Sequence, residues 1–323
     1  MKKIIVRFNE GTIEKIRTYS SEFQGISFLD ASIREMVLYV NDSQLDTIMD
    51  QLNTLLDFRY KENLIEVESP DFIVSSYLDR SSEKSAGSEK TPVEKLIDQT
   101  KKYTILEYGK ISLTSVAALI AMMGLFMNND PIIIGAMLLS PMLGPIYAFA
   151  INISIGKIES ALRGIAILLI LLAAAVGIVF MFTALAKAVF PLPITTQIDL
   201  RLHFNSLYVP LGILLGFASM LAMGRDIPEI FAGVAISVAL VPPAAVAGIM
   251  LAIDPAKAFV PFLIVAQNTL GMMTGSLLSM IMLRIGPRKY YAQATARKYL
   301  IRILIIVLIL LVITLIADII VSL

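Results

Sequence analysis

The hydrophobic positions of the chain follow two different patterns. Residues 1–68 alternate short strand-like and helical periodicities, whereas long charge-free apolar runs dominate from residue 111 onward. A membrane span needs about 20 predominantly apolar residues. Seven runs qualify: 111–129, 131–156, 164–186, 204–224, 230–253, 258–283 and 303–317, the last of which can extend to Leu323. The pattern predicts a small soluble domain followed by an α-helical polytopic membrane domain with about seven transmembrane helices.

The pattern over residues 1–78 predicts an α+β domain. The distribution of basic residues, described below, predicts that this domain lies in the cytoplasm. Four segments have the alternation or residue types of strands, at 4–8, 26–30, 34–41 and 63–68. Helical spacing predicts one helix over 12–23 and another after a cap at Ser43. The resulting order, βαββαβ, is that of a ferredoxin-like domain. Whether such a domain senses a small molecule or only mediates assembly stays open, because fold does not fix function.

Residues 79–91 are rich in serine and charge and have no apolar period, which predicts a flexible linker. Thr91, Pro92 and Glu94 then give a strong helix start, because they combine a cap, a first-position proline and a capping-box acid. We therefore expect an amphipathic juxtamembrane helix over 92–110. The transmembrane domain follows over 111–323.

Composition narrows the function classes. Residues 1–110 hold 34 Asp, Glu, Lys and Arg side chains, and residues 111–323 hold 19. The net charge is +1, with one histidine and no cysteine, and no basic stripe is present. We therefore expect no nucleic-acid partner, no cofactor and no metal centre. Phosphate-loop, dinucleotide, zinc-protease and nucleophile-elbow motifs are absent from the sequence, so no catalytic residue is predicted and the chain is expected not to be an enzyme.

Basic residues near the ends of the apolar runs predict the orientation. With the N-terminus in the cytoplasm, twelve Lys and Arg residues flank the cytoplasmic side, against Lys187, Arg201 and Lys257 on the outer side. Cytoplasmic loops of membrane proteins carry such an excess of basic residues. The pattern predicts a multi-pass protein of the cytoplasmic membrane with its N-terminus inside.

Two segments of the membrane domain resemble each other. Residues 132–148 (IIIGAMLLSPMLGPIYA) and 230–248 (IFAGVAISVALVPPAAVAG) align at an offset of 98, which places Gly135 on Gly233 and Pro145 on Pro243. The same offset places the first span on the fourth and the third on the sixth. Three helices per unit predict two inverted repeats, over 108–188 and 206–286, with an extra helix over 299–323.

The prolines of these segments predict a binding site. Proline inside a helix removes a backbone hydrogen bond, and matched helix breaks in inverted repeats are typical of transporter sites near the midplane. We expect a small ion or polar solute to bind where the second and fifth helices break, helped by a polar cluster on the sixth. The predicted substrate-binding residues are Ser140, Pro141, Gly144, Pro145, Pro242, Pro243, Gln267, Asn268 and Thr269. The alternatives are packing kinks for the prolines and hydrogen bonds between helices for the polar cluster.

Charged residues at the ends of spans are candidate gates. Arg225, Asp226 and Glu229 lie between the fourth and fifth spans, and Asp130 is the near counterpart of Asp226 by the repeat offset. Arg225, Asp226 and Glu229 are candidates for gating a cytoplasmic mouth or relaying protons, and Asp130 is a candidate for an outer mouth that attracts cations. A solvated turn, with Pro131 opening a helix, is the alternative.

The segments IIIGAMLLSPMLGPI and GVAISVALVPPAAVAGI resemble the paired signatures of the domain-of-unknown-function 389 family, a group of uncharacterised prokaryotic membrane proteins. The resemblance covers about residues 105–285. It implies a prokaryotic polytopic membrane protein, often with an added soluble domain. It implies no substrate and no catalytic residues.

The sequence therefore predicts a secondary transporter or channel-like permease in the lipid bilayer, regulated by its soluble domain and capable of forming a homo-oligomer. The alternative is a membrane-anchored sensor or assembly protein whose soluble domain binds an effector or partner. The duplicated helix breaks favour transport, because an anchor has no need of them. An intramembrane enzyme ranks third, since no pair of nucleophile and base is evident.

Overall fold

The computed structural model describes residues 2–23, 25–40, 42–68, 96, 100–203, 205, 207–225, 227, 229–287 and 290–322. The chain divides into two compact units, Met1–Pro92 and Val93–Leu323. The linker predicted at 79–91 lies outside the described residues, as does most of the start of the predicted juxtamembrane helix.

The first unit is a four-stranded antiparallel sheet with two helices. Its elements are β1 (Lys2–Arg7), α1 (Ile13–Glu22), β2 (Ile26–Asp30), β3 (Glu35–Val40), α2 (Asp42–Leu55) and β4 (Leu64–Glu68). The strand order across the sheet is β2-β3-β1-β4. Ile4 and Val6 alternate along β1 and pack with Ile16 of α1 and Leu52 of α2 in one apolar core. The element order is the predicted βαββαβ.

The regular elements of the second unit are all helices over its described residues. Its helices are α3 (Tyr108–Phe126), α4 (Asp130–Leu139), α5 (Leu143–Ser154), α6 (Ile158–Lys187), α7 (Thr196–Asp199), α8 (Tyr208–Met223), α9 (Glu229–Ile253), α10 (Phe259–Leu283) and α11 (Tyr290–Ser322). Helix α9 is the most buried of the long helices, while α11 buries the smallest share of its surface. The unit therefore packs around α9, with α11 at its periphery.

Among the described residues, five helices are long and apolar enough to cross a membrane, and a bent pair, α4 with α5, makes up to six. The remaining predicted span corresponds to α8, which is apolar but has 16 residues and measures about 24 Å. The chain is thus a multi-pass helical membrane protein, but seven full spans are not established. A 3-10 turn, Pro255–Ala258, directly precedes α10. Adding 98 to the bounds of α3, of the pair α4–α5 and of α6 gives, to within three residues, the bounds of α8, of α9 and of this turn together with α10. An inverted relation between these units stays a prediction.

The juxtamembrane helix predicted to run through Lys110 is interrupted. Residues 100–103 are helical, residues 104–107 are not, and α3 begins at Tyr108. The carbonyl oxygens of Lys102 and Ile105 in this bend accept hydrogen bonds from the Lys110 Nζ. A lysine that satisfies carbonyls near a helix end stabilises the end there, so the predicted single helix is wrong at this point.

Helices α8 and α10 approach closely through glycines. A Cβ at Gly216 would overlap the main-chain oxygen of Met272, and one at Gly275 would overlap the main-chain oxygen of Ile213. Glycines four residues apart let membrane helices approach at backbone distance. The glycine pairs Gly212/Gly216 and Gly271/Gly275 thus serve packing within this chain.

Candidate functional site

The second predicted span breaks between α4 and α5. Helix α4 ends at Leu139 and α5 begins at Leu143, with a bend of 49°. Ser140 is extended, with φ −84° and ψ 123°. Proline disfavours helical backbone at the residue before it and supplies no N–H. Pro141 therefore ends α4 at Ser140, whereas Pro145 lies in the first turn of α5, where proline is tolerated.

The predicted break lines a cavity of about 280 Å³. All four residues predicted from the first motif are at its wall, which is lined by Tyr103, Lys110, Leu138, Ser140, Pro141, Leu143, Gly144, Pro145, Ile167, Gly233 and Val234. Helix α4 rises about 15 Å and α5 about 18 Å, so neither alone crosses the hydrocarbon region of about 30 Å. If the pair spans the bilayer, the break lies near its middle.

Ser140 is the polar centre of the cavity wall. It is 6% exposed, and its Oγ has no hydrogen-bond partner. Its carbonyl oxygen accepts a hydrogen bond of 3.1 Å from the Ser237 Oγ of α9. A buried hydroxyl without a partner is costly, so a polar solute that bonds the Ser140 Oγ would remove that cost. The carbonyl, in contrast, is already satisfied across the helix interface.

Lys110 is the charged residue in the described cavity wall. Its Nζ donates to the Lys102 and Ile105 carbonyl oxygens and lies 3.5 Å from the Glu107 Oε1. The ammonium group is therefore balanced by nearby acceptors and fixed in position. No acidic side chain is among the described lining residues. This arrangement suits an uncharged polar solute or a small anion better than a cation.

Two tyrosines cover the break. The Tyr103 ring lies against Gly144, where a Cβ would overlap it. Tyr103 packs edge-on against Tyr147 with ring centroids 5.8 Å apart, and the Tyr147 hydroxyl donates to the Leu96 carbonyl oxygen at 3.3 Å. Gly144 is therefore required for the close approach of Tyr103, and the ring forms one wall of the cavity.

The second proline motif does not break its helix. Helix α9 is continuous through Pro242 and Pro243, so the predicted break in the fifth span is wrong. Pro243 leaves the Ala239 carbonyl without its helical donor. The Asn268 Nδ2 of α10 donates to that carbonyl at 2.7 Å. This bond between helices replaces the missing one, and neither proline lines the cavity described above.

The polar cluster on α10 does not form one site. The Asn268 side chain bonds α9, the Gln267 Nε2 donates to the Thr314 carbonyl oxygen of α11 at 3.1 Å, and the Thr269 Oγ1 bonds the Val265 carbonyl within α10. None of the three is among the described residues lining the cavity at the break. The structure does not bring these three residues to the break, because adjacent helical positions point in different directions.

The predicted gating residues are only partly described. Asp130 is exposed at the start of α4, where the Asn129 side chain caps the helix by accepting from the Ile132 N–H. Arg225 is exposed, Asp226 lies outside the described residues, and Glu229 opens α9 with its side chain undescribed. Asp130 thus lies in a capped helix start, and a gating role stays a prediction.

Some residues of the site were not predicted from the sequence. In the sequence, Lys110 is one of several basic residues that flank the apolar runs, and Tyr103 belongs to no motif. Ser237 lies one residue away from the position that the offset of 98 pairs with Ser140, and Gly233, which the offset pairs with Gly135, lines the cavity. The repeat offset was therefore the signal that could have found the partners contributed by α9. Among the described residues, no group of three or more His, Cys, Asp or Glu side chains could hold a metal ion.

The helices and the bent pair α4–α5 define a multi-pass helical membrane protein with a cavity at a helix break. Residues 137–274 match the sequence model of the family described as "Domain of unknown function (DUF389)". The match extends from α4 into α10, and includes the break and both proline motifs, so this part of the chain carries that family's domain, as the motifs predicted.

An uncharacterised protein of Methanocaldococcus jannaschii is 24% identical over 186 residues, which are 57% of this chain and 57% of the relative. The chain thus matches less than two thirds of the relative's length. No solved structure matches the chain.

Proposed function

We propose that this protein is a secondary transporter or channel-like permease for a small polar solute, which binds at the break between α4 and α5. The observation that carries the proposal is the cavity of about 280 Å³ at that break, with the unpartnered Ser140 Oγ in its wall. Irregular backbone at membrane depth is tolerated where protein surrounds it or where it lines a cavity. A polar solute bound in this cavity could supply the hydrogen bond that the Ser140 hydroxyl lacks.

The chemistry of the wall narrows the solute class. The wall is mainly apolar, its lysine is balanced by Glu107 and two carbonyl oxygens, and its described residues include no acid. Ligand sites of this kind combine apolar walls with a few placed polar groups. We infer a small uncharged polar solute or a small anion that moves down its own gradient or with an ion gradient.

The proposal extends to placement in the cell. The excess of Lys and Arg on one set of loop ends supports an N-terminal unit in the cytoplasm of a prokaryote and a membrane unit in its cytoplasmic membrane. In that position the antiparallel sheet domain would be available to regulate flux. The duplicated spacing of 98 residues favours an inverted pair of three-helix units around the break.

The chain contains no cysteine, which allows a direct test. The full-length Ser140→Cys variant is reconstituted in liposomes, and the entry of urea, glycerol, formate and chloride is followed by light scattering. A small water-soluble methanethiosulfonate is then added. We expect at least one solute to enter faster than in empty liposomes, and the reagent to remove most of that flux because it fills the cavity.

Ser279→Cys is the matched control. Its hydroxyl is also buried and unpartnered, but it lies on α10 and is not among the cavity lining. The reagent should leave flux through this variant unchanged. Equal loss of flux in both variants, or the absence of flux for every solute in the parent protein, would contradict the proposal.

A further inference from the structure

A second polar pair lies within the membrane unit, between α10 and α11. Asp318 of α11 is 2% exposed and Gln267 of α10 is fully buried. The Gln267 Nε2 donates to the Thr314 carbonyl oxygen of α11 at 3.1 Å. Asp318 lies one helical turn beyond Thr314 on α11, where its carboxyl interacts with the Gln267 side chain. The pair joins the peripheral helix α11 to the core of the unit. Neither residue lines the cavity at the α4–α5 break.

Two oxygen atoms of this pair have no hydrogen-bond partner. They are the Asp318 Oδ2 and the Gln267 Oε1, both buried. Buried polar atoms in folded proteins are nearly always bonded, and inside a bilayer an ionisable side chain marks a functional site by default. Both unsatisfied atoms are acceptors, so what the site lacks is a donor.

No basic side chain of the packed helices can supply that donor. Helix α11 packs on α10 and α5, and the sequences of α10 and α5 contain no Lys, Arg, His, Asp or Glu. The titratable residue of α5 is Tyr147, which bonds Leu96 and packs on Tyr103. On α11 itself, the nearest charged residue is Arg302, sixteen positions and about 24 Å away along the axis.

The burial of the pair makes a bare carboxylate unfavourable. Both side chains are almost completely shielded from solvent, and an ionised carboxylate taken out of water without a paired charge is costly. On α11 the pair lies at the end of the apolar stretch Thr295–Asp318, and on α10 Gln267 lies eight residues, about 12 Å, from Phe259. A metal cation is a poor fit, because hard cations take about six oxygen ligands and this pair offers two unused ones. A proton needs only one oxygen to carry it and a second oxygen to accept its hydrogen bond, and the two unpartnered oxygens of the pair can fill these roles.

We propose that Asp318 and Gln267 form a proton-binding site inside the membrane unit, with the proton carried on the Asp318 carboxyl and exchangeable with the aqueous phase. The proton converts one unsatisfied acceptor into a donor, and the Gln267 amide can then accept from it. Proton relays in transporters are built from such intramembrane carboxyl groups. The site is separate from the cavity at the α4–α5 break and does not depend on the transport proposal.

The test uses the full-length protein in liposomes and dicyclohexylcarbodiimide, an apolar reagent that reacts with protonated carboxyl groups. Modified peptides are quantified by mass spectrometry at neutral pH and along an alkaline titration. We expect Asp318 to be modified at neutral pH and the modification to be lost as the pH rises. Asp318→Asn should lose it at every pH. Gln267→Leu should move the pH midpoint, whereas Thr269→Val, whose hydroxyl bonds its own helix, should not.

A water-soluble carbodiimide with an added amine provides the contrasting measurement. It should modify Asp199, whose side chain is 59% exposed, and leave Asp318 unmodified. Asp318 that reacts with the water-soluble reagent as Asp199 does, or that resists the apolar reagent at neutral pH, would overturn the proposal. Solute flux is not measured here, so a negative result in the transport assay leaves this outcome unaffected.

Discussion

Each proline inside a membrane helix removes one backbone hydrogen bond, and the two proline motifs of this chain respond to that loss in different ways. At Pro141 the helix ends, because the residue before the proline turns to extended backbone and a cavity opens beside it. At Pro243 the helix continues, because Asn268 of α10 supplies a donor to the freed Ala239 carbonyl. The hydrogen bond from Asn268 is therefore a feature that the continuous helix α9 has and the break between α4 and α5 lacks.

This role of Asn268 predicts a large effect of its replacement. Asn268→Leu leaves the Ala239 carbonyl buried without a donor, which costs about 1–3 kcal/mol. We expect a lower midpoint of thermal unfolding in detergent, followed by circular dichroism. Thr269→Val is the control, since that hydroxyl bonds its own helix. A Thr269→Val variant as unstable as Asn268→Leu would mean that loss of polarity at this level, rather than loss of the bond to α9, causes the effect.

The sequence predicts the two proline positions but not their different outcomes. The residues next to Pro141 and Pro242 in the sequence do not show which helix will break. A helix ends or continues at a proline according to whether the tertiary structure supplies a donor for the freed carbonyl. The deciding donor, Asn268, is 25 positions beyond Pro243 in the chain. The same holds for Asp318, which the hydropathy pattern leaves near the end of a span, while its burial depends on contact with Gln267 of another helix. Such partners come from tertiary packing.

At the scale of elements, packing depends on glycines as much as on apolar side chains. Helices α8 and α10 meet where the glycines of one face the main chain of the other. With α4 and α5 taken together, α8 is the shortest of the observed helices that correspond to predicted spans, at 16 residues. The close approach gives α8 main-chain contact with a longer neighbour. Glycines spaced four residues apart indicate such contact, but the spacing alone does not decide whether the contact joins two helices of one chain or two chains.

The interface predicts a clear difference between two glycine substitutions. Gly275→Ala places a Cβ against the main-chain oxygen of Ile213, which cannot move without α8. Overpacking of this kind costs about 1–3 kcal/mol. Gly177→Ala in α6 meets nothing within 4 Å and should leave stability within about 1 kcal/mol of the parent, on the stabilising side.

Thermal unfolding of the two variants in the same detergent checks this prediction. The unfolding midpoint of Gly275→Ala should fall well below that of Gly177→Ala. Equal midpoints would show that α8 and α10 are free to separate by the width of a methyl group, and that the glycines do not set their distance.

The elements of both units follow from local pattern to a useful degree. The strands of the first unit begin and end within two residues of their predicted bounds, because alternation and turn residues define them locally. Membrane helices are equally visible, because a run of about 20 apolar residues is a strong signal. The juxtamembrane segment was less predictable, since the bend at 104–107 is fixed by Lys110 reaching back to two carbonyls.

At the scale of the whole molecule, the broken pair α4–α5 decides the topology. If the pair crosses the bilayer, each unit of the predicted repeat has three crossings, and the second unit is inverted relative to the first. If the pair enters and returns on one side, that unit has two crossings and the relation fails. The rises of about 15 and 18 Å together reach across the hydrocarbon region, which favours a crossing.

Single-cysteine labelling in intact cells tests this crossing, because the natural chain offers no competing thiol. Ser21 is exposed on α1, Ser160 lies in the first turn of α6, and Thr196 is exposed at the start of α7. Each is replaced by cysteine and treated with a membrane-impermeant maleimide before and after cell lysis. For a crossing pair with the N-terminus inside, Ser21→Cys and Ser160→Cys react only after lysis, and Thr196→Cys reacts in intact cells.

A different pattern follows if the pair is re-entrant. Ser160→Cys then reacts in intact cells and Thr196→Cys only after lysis, while Ser21→Cys is unchanged. That result would remove the inverted repeat and leave the cavity as a pore-loop mouth on the outer side. If Ser21→Cys itself reacts in intact cells, the N-terminus lies outside, and the orientation predicted from the basic residues is wrong. The three positions together separate the path of α4–α5 from the orientation of the chain, which no one of them does alone.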